Sequence, residues 1–324
     1  MSSRILRVGV LGLGMMGRIH ARVAQEIDGF ELVGIVDPLG DSQGIARGAP
    51  VFNEPEQLID AGIDAAIVSV PTEDHLAVGL KLAEAGVHTM IEKPLADSVE
   101  AAKQLRDAFE AAGVVGCVGH VERFNPAIQQ LKKRVVEGQA GQIFQIATRR
   151  VGPFPGRIKD VGVVKDLATH DLDLTTWIAG SPFAAVYART AFKTGRSHED
   201  LAAITGQLVD GTITNHLVNW LSPVKERIVT ATGTLGLFRA DTLRGDLTWF
   251  ANADVATEWT AMSVLRGVAE GDVIRYAFPK PEPLKAEHEA FRDAILGVDN
   301  RVVSMDDGLQ VVETAKLVID ASAN

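Results

Sequence analysis

The chain has 324 residues, 46% hydrophobic and 23% charged, and 32 Lys and Arg against 42 Asp and Glu give a formal net charge of −10. That length predicts two domains, and the apolar content excludes disorder over most of the chain. The acidic balance argues against nucleic acid or an anionic membrane surface as partner, and the single cysteine, Cys117, excludes a disulfide framework or a cysteine-based zinc site.

The opening residues are broken by Arg7 and the glycines that follow, a poor signal peptide, and no apolar run is long enough to span a bilayer. The expectation is a soluble, cytoplasmic protein. Ile5–Leu11 reads as a strand buried on both faces, followed by glycines and a helical stretch around Ile19–Ile27. Strands are expected at Glu31–Val36, Ala65–Val70, Val87–Ile91 and Val114–Gly119, with helices near Pro55–Ala61, at Asp74–Ala85 and at Ser98–Ala111. This alternation predicts an α/β class, with a doubly wound parallel sheet over residues 1–120. After His120 the pattern changes. A helix is expected at Ala127–Glu137, an alternating strand at Ile143–Val151 and a helix over 166–179 closed by Gly180 and Pro182. Between Ala184 and Phe250, runs rich in Val, Thr, Ile and Phe separated by glycine turns predict a mostly antiparallel sheet, and two helices, Leu284–Leu296 and Asp306–Ala321, close the chain. Residues 121–324 are therefore expected to form one α+β domain that binds substrate and mediates oligomerisation.

Gly12-Leu13-Gly14-Met15-Met16-Gly17 matches G-x-G-x-x-G, with a strand before it and a helix after it. Gly12 permits the tight turn, Gly14 lets backbone approach a pyrophosphate, and Gly17 lets the helix pack on the strand. The helix N-terminus then offers N–H groups and partial positive charge to the phosphates. Asp37 ends the next strand, 20 residues beyond Gly17, where a carboxylate accepts from the adenosine ribose hydroxyls. It also repels a 2′-phosphate, and Pro38-Leu39-Gly40 supplies no arginine to offset that, so NAD is expected rather than NADP. A bare glycine turn with a solvated aspartate is the bland alternative, which the complete strand–turn–helix–strand–Asp unit disfavours.

Glu92-Lys93-Pro94 follows a strand at the carboxyl end, where ligands sit in open α/β sheets. Asp166 and His170 are spaced i, i+4 on an expected helix. Alcohol oxidation without a metal needs a base for the hydroxyl proton, which a carboxylate-tuned histidine supplies, and a lysine can hydrogen-bond the same oxygen. A metal at Asp166, His170 and Asp173 would lack a partner cluster elsewhere in the sequence. With Val70-Pro71-Thr72-Glu73-Asp74-His75 and Arg123-Phe124-Asn125-Pro126, the chain resembles the glucose–fructose oxidoreductase / inositol dehydrogenase / MocA family over essentially its whole length. The resemblance implies Lys93 and His170 as the catalytic pair with Asp166 as their polar partner, and Pro71, Thr72 and Glu92 along the cofactor. It also implies an open sheet whose outer face pairs with another subunit, giving a homodimer or homotetramer. His75 reads as structural, and Cys117 as a small buried hydrophobe.

Three stretches bear on the substrate. Thr148–Lys159 carries Arg149, Arg150, Arg157 and Lys159; Trp220–Arg227 is basic; and Glu282–His288 opens a helix. With Gly119–Pro126 they resemble the subgroup of that family that oxidises UDP-N-acetylglucosamine or related UDP-sugars at C3, which adds Arg123, Asn125, Arg150 and Arg157 as substrate-binding residues. A diphosphate asks an acidic protein to gather Arg and Lys locally. On a strand, Arg149 and Arg150 point to opposite faces, so at most one faces the site. The expected function is NAD-dependent oxidation of a secondary hydroxyl of a sugar, with C3 of a UDP-N-acetylated hexose as the expected position, giving a 3-keto sugar. An inositol or free-sugar dehydrogenase is the alternative within enzymes, and a non-catalytic NAD(H)-binding regulator the alternative outside them.

Overall fold

Strands joined through helices pair in parallel, because each helix carries the chain back to the strand's starting end. In the computed structural model, which describes residues 4–156, 161–253 and 269–322, the first part of the chain follows this rule. β1 (Leu6–Leu11), β2 (Phe30–Val36), β3 (Val51–Phe52), β4 (Ala65–Val68), β5 (His88–Glu92) and β6 (Gly116–Gly119) form a six-stranded sheet in the order β3-β2-β1-β4-β5-β6. Every pairing in it is parallel. Connecting them are α1 (Met15–Ala24), α2 (Pro55–Asp60), α3 (His75–Glu84) and α4 (Val99–Ala112). α4 shows how sequence sets such a boundary: the Ser98 hydroxyl accepts from Ala101 N at its start, and Gly113 at φ 65° ends it. Strand order reverses between β1 and β4, so the crevice beyond their carboxyl ends is the topological switch point where such sheets bind ligands.

The chain divides into two compact units, Met1–Val121 with Glu282–Glu313, and Glu122–Pro281 with Thr314–Asn324. The first break falls after Val121, where the boundary is expected at residue 120. The expectation that 121–324 forms one continuous domain is corrected, because Glu282–Glu313 returns to the first unit. There α7 (Pro283–Ile295) inserts Leu284 beside Val23 and Ile27, and Phe291 among Leu6, Val8 and Ile35. Val118 N of β6 also donates to Val303 O at 2.9 Å. An amphipathic stripe says that a helix packs, but not which core receives it. The division falls within the last helix, α8 (Met305–Ser322).

The second unit holds an eight-stranded sheet, β14-β13-β12-β11-β7-β10-β9-β8. Its strands are β7 (Ile143–Pro153), β8 (Phe183–Ala191), β9 (Leu201–Leu208), β10 (Ile213–Asn219), β11 (Leu221–Gly233), β12 (Gly236–Asp241), β13 (Asp246–Ala253) and β14 (Ala269–Arg275). Only β7–β10 is parallel, which agrees with the expected mostly antiparallel sheet. Helices α5 (Pro126–Val136) and α6 (Thr169–Ala179) cover one face, packing Ile128, Leu131, Leu174 and Ile178 on Ile146, Val229 and Phe238. The other face is open among the described residues. Along β9, Ala202, Ile204, Gly206 and Leu208 are buried while Ala203, Thr205 and Gln207 are exposed. Among the described residues no helix is long and apolar enough to cross a membrane.

His216 lies on the buried face of β10, with Nδ1 2.9 Å from the Thr148 hydroxyl, and burial pushes its pKa down to about 4 from 6.5. The folded protein resists protonating a ring that the unfolded chain protonates freely. Stability is therefore full above the unfolded value and is lost as pH falls from 6.5 towards 4, by about 3 kcal/mol in all. Urea unfolding across that window should show this acid-side loss reduced in His216→Gln; equal losses in both proteins would contradict the assignment.

Candidate active site

The first unit holds a nucleotide cradle. At Gly12 the backbone is left-handed, φ 89°, and a Cβ there would lie 2.7 Å from Ser69 O. A Cβ on Gly17 would fall 1.7 Å from Gly12 O, so a side chain would drive α1 off the turn. Above Gly14, by contrast, nothing lies within 4 Å of a built Cβ. Gly14 is the N-cap of α1, without a side-chain cap and without acidic residues in the first turn, leaving N–H groups directed at an anion. Met15 and Met16 open the helix, Met15 largely exposed. The Asp37 carboxylate accepts from Leu13 N at 2.6 Å and from Leu39 N at 2.8 Å, which holds it against the glycine loop. Across the switch point, Pro71 caps the 3₁₀ turn Thr72–Asp74. His75 packs against this bank, with Nε2 3.1 Å from Val70 O and Nδ1 3.0 Å from Pro94 O. Glycine turn, open N-cap and the Asp37 carboxylate together fit a dinucleotide.

At the carboxyl end of β5, Glu92 is buried and Lys93 half-buried. Glu92 Oε1 lies 2.8 Å from His20 Nε2, and Oε2 accepts from Lys93 N at 3.0 Å. Burial pushes the Glu92 carboxyl up, but the His20 hydrogen bond and the positive charge of Lys93 outweigh it and hold it below the usual carboxylate range.

The second unit holds a cavity of about 280 Å³, lined among others by Arg150, Asp166, Leu167, Trp220, Lys225 and Arg227. Between Arg149 and Arg150, the alternation of β7 turns Arg150 inward, while Arg149 stands exposed and pairs with Glu226. Arg150 Nε donates to Asp171 Oδ1 at 2.9 Å and Nη1 to Glu122 Oε1 at 2.8 Å. Arg227 sits directly opposite Arg150 across β7 and β11, a like-charge pairing held by Glu122, whose Oε1 also accepts from Arg227 at 3.2 Å. Burial lowers the Arg150 pKa, yet the charges of Asp171 and Glu122 more than offset it and the net shift is upward. The Glu122 carboxyl, also pushed up by burial, is brought below its ordinary value by Arg150 and Arg227. For Asp171 burial wins over Arg150 and raises the pKa. Arg227 is lowered by burial and by the charge of Arg150.

Asp166 lies in a π-helical turn, Val164–Ala168, and His170 is the second residue of α6. The expected single helix over 166–179 is thereby corrected: the i, i+4 pair straddles a π-to-α junction, so ordinary α-helical phase does not set it. Glu199 anchors the turn, accepting from Val164 N at 3.0 Å. Arg123 and Asn125 are buried and engaged by the fold. Arg123 donates to both oxygens of Asp173, at 2.6 and 3.0 Å. Asn125 caps α5 by accepting from Ala127 N and donates to Thr242 O at 2.9 Å. Arg157 and Lys159 lie outside the described residues. Sequence reading did not single out Glu122, Asp171 or His20. Only Asp171 had a usable signal, a carboxylate beside His170 on a helix facing a basic strand.

Residues 6–120 match the GFO_IDH_MocA family model, described as an oxidoreductase family with an NAD-binding Rossmann fold, and residues 128–239 match the GFO/IDH/MocA C-terminal domain. The chain is 34% identical over 191 residues to scyllo-inositol 2-dehydrogenase (NAD(+)) of Bacillus subtilis (strain 168), covering 56% of each. It is 33% identical over 219 residues to UDP-N-acetylglucosamine 3-dehydrogenase of Acidithiobacillus ferrooxidans, covering 65% of this chain and 66% of that protein. These matches therefore span less than two thirds of each relative's length. A solved structure of UDP-N-acetylglucosamine 3-dehydrogenase GnnA from Acidithiobacillus ferrooxidans superposes with a TM-score of 0.85 at 27% identity, over 98% of this chain and 97% of that one.

Proposed function

Because the chain belongs to the GFO/IDH/MocA oxidoreductase family, we propose that it oxidises a secondary sugar hydroxyl with NAD, specifically C3 of a UDP-N-acetylated hexose. The observation that carries this reading is the cavity on the second unit, where Asp166 lies among the cations Lys225 and Arg227. His170 takes the hydroxyl proton and Lys93 hydrogen-bonds the same oxygen, stabilising negative charge as it develops. Asp166 orients the substrate and favours the cationic form of His170 once the proton arrives. The residues of the glycine loop and Asp37 hold NAD, which when bound supplies the hydride acceptor. Arg227, half-buried and linked to Glu122 through one nitrogen, has further N–H groups in its fork for a phosphate oxygen. The likeness over nearly the whole length of a solved UDP-N-acetylglucosamine 3-dehydrogenase supports the same choice.

One observation favours a neutral polyol instead. Among the described residues, Arg150, Lys225 and Arg227 at the cavity face the carboxylates Glu122, Asp166 and Asp171, so these six groups together carry no net charge. The inositol dehydrogenase likeness points the same way. NADH formation with UDP-N-acetylglucosamine, against myo- and scyllo-inositol, separates the two. Turnover of the nucleotide sugar is expected, with NAD preferred over NADP because of Asp37. Turnover of inositols alone would overturn the substrate assignment, and tighter binding of NADPH than NADH would overturn the ribose reading.

A further inference from the structure

Behind Lys93, in the core of the first unit, lies a file of buried polar groups that the proposed chemistry does not use. Glu92 Oε1 is 2.8 Å from His20 Nε2, and His20 Nδ1 is 2.9 Å from His288 Nε2. Both histidines are fully buried, and their rings stack at 5.2 Å with 16° between planes. The file ends at His288 Nδ1, buried and without a hydrogen-bond partner among the described residues.

That end sets the direction of the file. A buried N–H without an acceptor costs more than a buried lone pair that the ring can leave bare. His288 therefore carries its hydrogen on Nε2 and donates to His20 Nδ1, and His20 in turn carries its hydrogen on Nε2 and donates to Glu92. A proton added to His20 would make both its nitrogens donors and force the hydrogen of His288 onto the unpartnered Nδ1. Burial, with the charge of Arg22, keeps the His288 ring neutral.

We propose that His20 and His288 are positioning residues for Lys93: they form a one-way hydrogen-bond relay that keeps Glu92 ionised and oriented, and Glu92 in turn holds the Lys93 backbone through Oε2. The role assigned to Lys93 rests on the oxidoreductase reading above; the relay itself does not. Each packed element supplies a known neighbour. α1 brings His20 and, further out, Arg22, which pairs with Glu26 and Glu282. α7 brings His288, and α3 brings His75, whose ring feels the Glu92 charge. β6 contributes the Gly119 backbone, where a Cβ would stand 3.3 Å from Glu92, followed in sequence by His120.

Removing the His20 donor leaves a buried carboxylate with one backbone N–H, so its pKa rises into the working range. In His20→Leu, the infrared carbonyl band of a protonated carboxyl, assigned by its absence in His20→Leu/Glu92→Gln, should appear near neutral pH. In the wild type it should appear only in acid. The same variant should gain an acid limb in kcat/KM, falling on the order of tenfold per pH unit. His20→Gln, whose amide N–H reaches where Nε2–H did, should restore both profiles. Nitrogen NMR of the folded wild type should show His288 neutral, with Nε2 protonated and Nδ1 bare. A cationic His288, a hydrogen on its Nδ1, or a Glu92 band at the same pH in His20→Leu as in wild type would overturn the relay. Absence of turnover with every sugar would instead count against the proposed function, while the infrared and NMR readouts still decide the relay. Should His20→Leu fail to fold, the wild-type tautomer and the His20→Gln band remain decisive.

Discussion

Replacing His170 by alanine should lower turnover on the order of 100-fold or more, and Lys93→Ala should do the same. The two losses have different origins. With His170 removed the proposed acceptor of the hydroxyl proton is gone, so the expected defect belongs to the chemical step and raising the pH should recover part of it. Without Lys93 the developing negative charge on oxygen loses its donor, and a higher pH does not replace that contact. His170 stands on α6 in the second unit, whereas the glycine loop and Asp37 belong to the first. On the roles proposed for these residues, NADH affinity, read by fluorescence, should survive His170→Ala. Near-normal rates in both variants would remove the catalytic assignment.

Arg150→Met should destabilise the folded protein by about 3–5 kcal/mol. Arg150 is 3% exposed, and its guanidinium bridges two buried carboxylates, Glu122 and Asp171. Substitution leaves Asp171 without its charged partner and Glu122 with Arg227 alone. Part of the loss should be regained at low pH, where Asp171, already raised by burial, takes up a proton. Arg150→Lys keeps the charge but cannot span both acceptors with a planar fork, so it should recover only a fraction of the stability. Urea unfolding measures both. A loss below about 1 kcal/mol for Arg150→Met would show that the cluster is solvated rather than buried.

What was legible in the sequence and what was not follow from the range of the forces involved. The parallel sheet, the glycine loop and the amphipathic helices are local patterns, with a two-residue or 3.6-residue period and a backbone demand at Gly12 that only a few residues meet. The alternation of β7 told that Arg149 and Arg150 face opposite ways; choosing between them needed the register that buries Ile146 and Thr148 beside Arg150. Long-range pairing left no local mark. Nothing in the run around Glu122 announces that it bridges Arg150 and Arg227, 28 and 105 residues away. The π turn at Val164–Ala168 arises where Glu199 takes the Val164 N–H, a contact 35 residues distant. For the same reason the periodicity of α7 marks a helix but not the unit that receives it.

Hydride transfer itself gives the most direct test of the central claim. UDP-N-acetylglucosamine carrying deuterium at C3 is incubated with NAD and the protein, and both products are examined by mass spectrometry and NMR. The expected result is deuterium on the reduced nicotinamide, a keto group at C3 of the sugar and a primary isotope effect on the single-turnover rate. Unlabelled NADH with the label retained on the sugar, or bound NAD with no reduction, would contradict it.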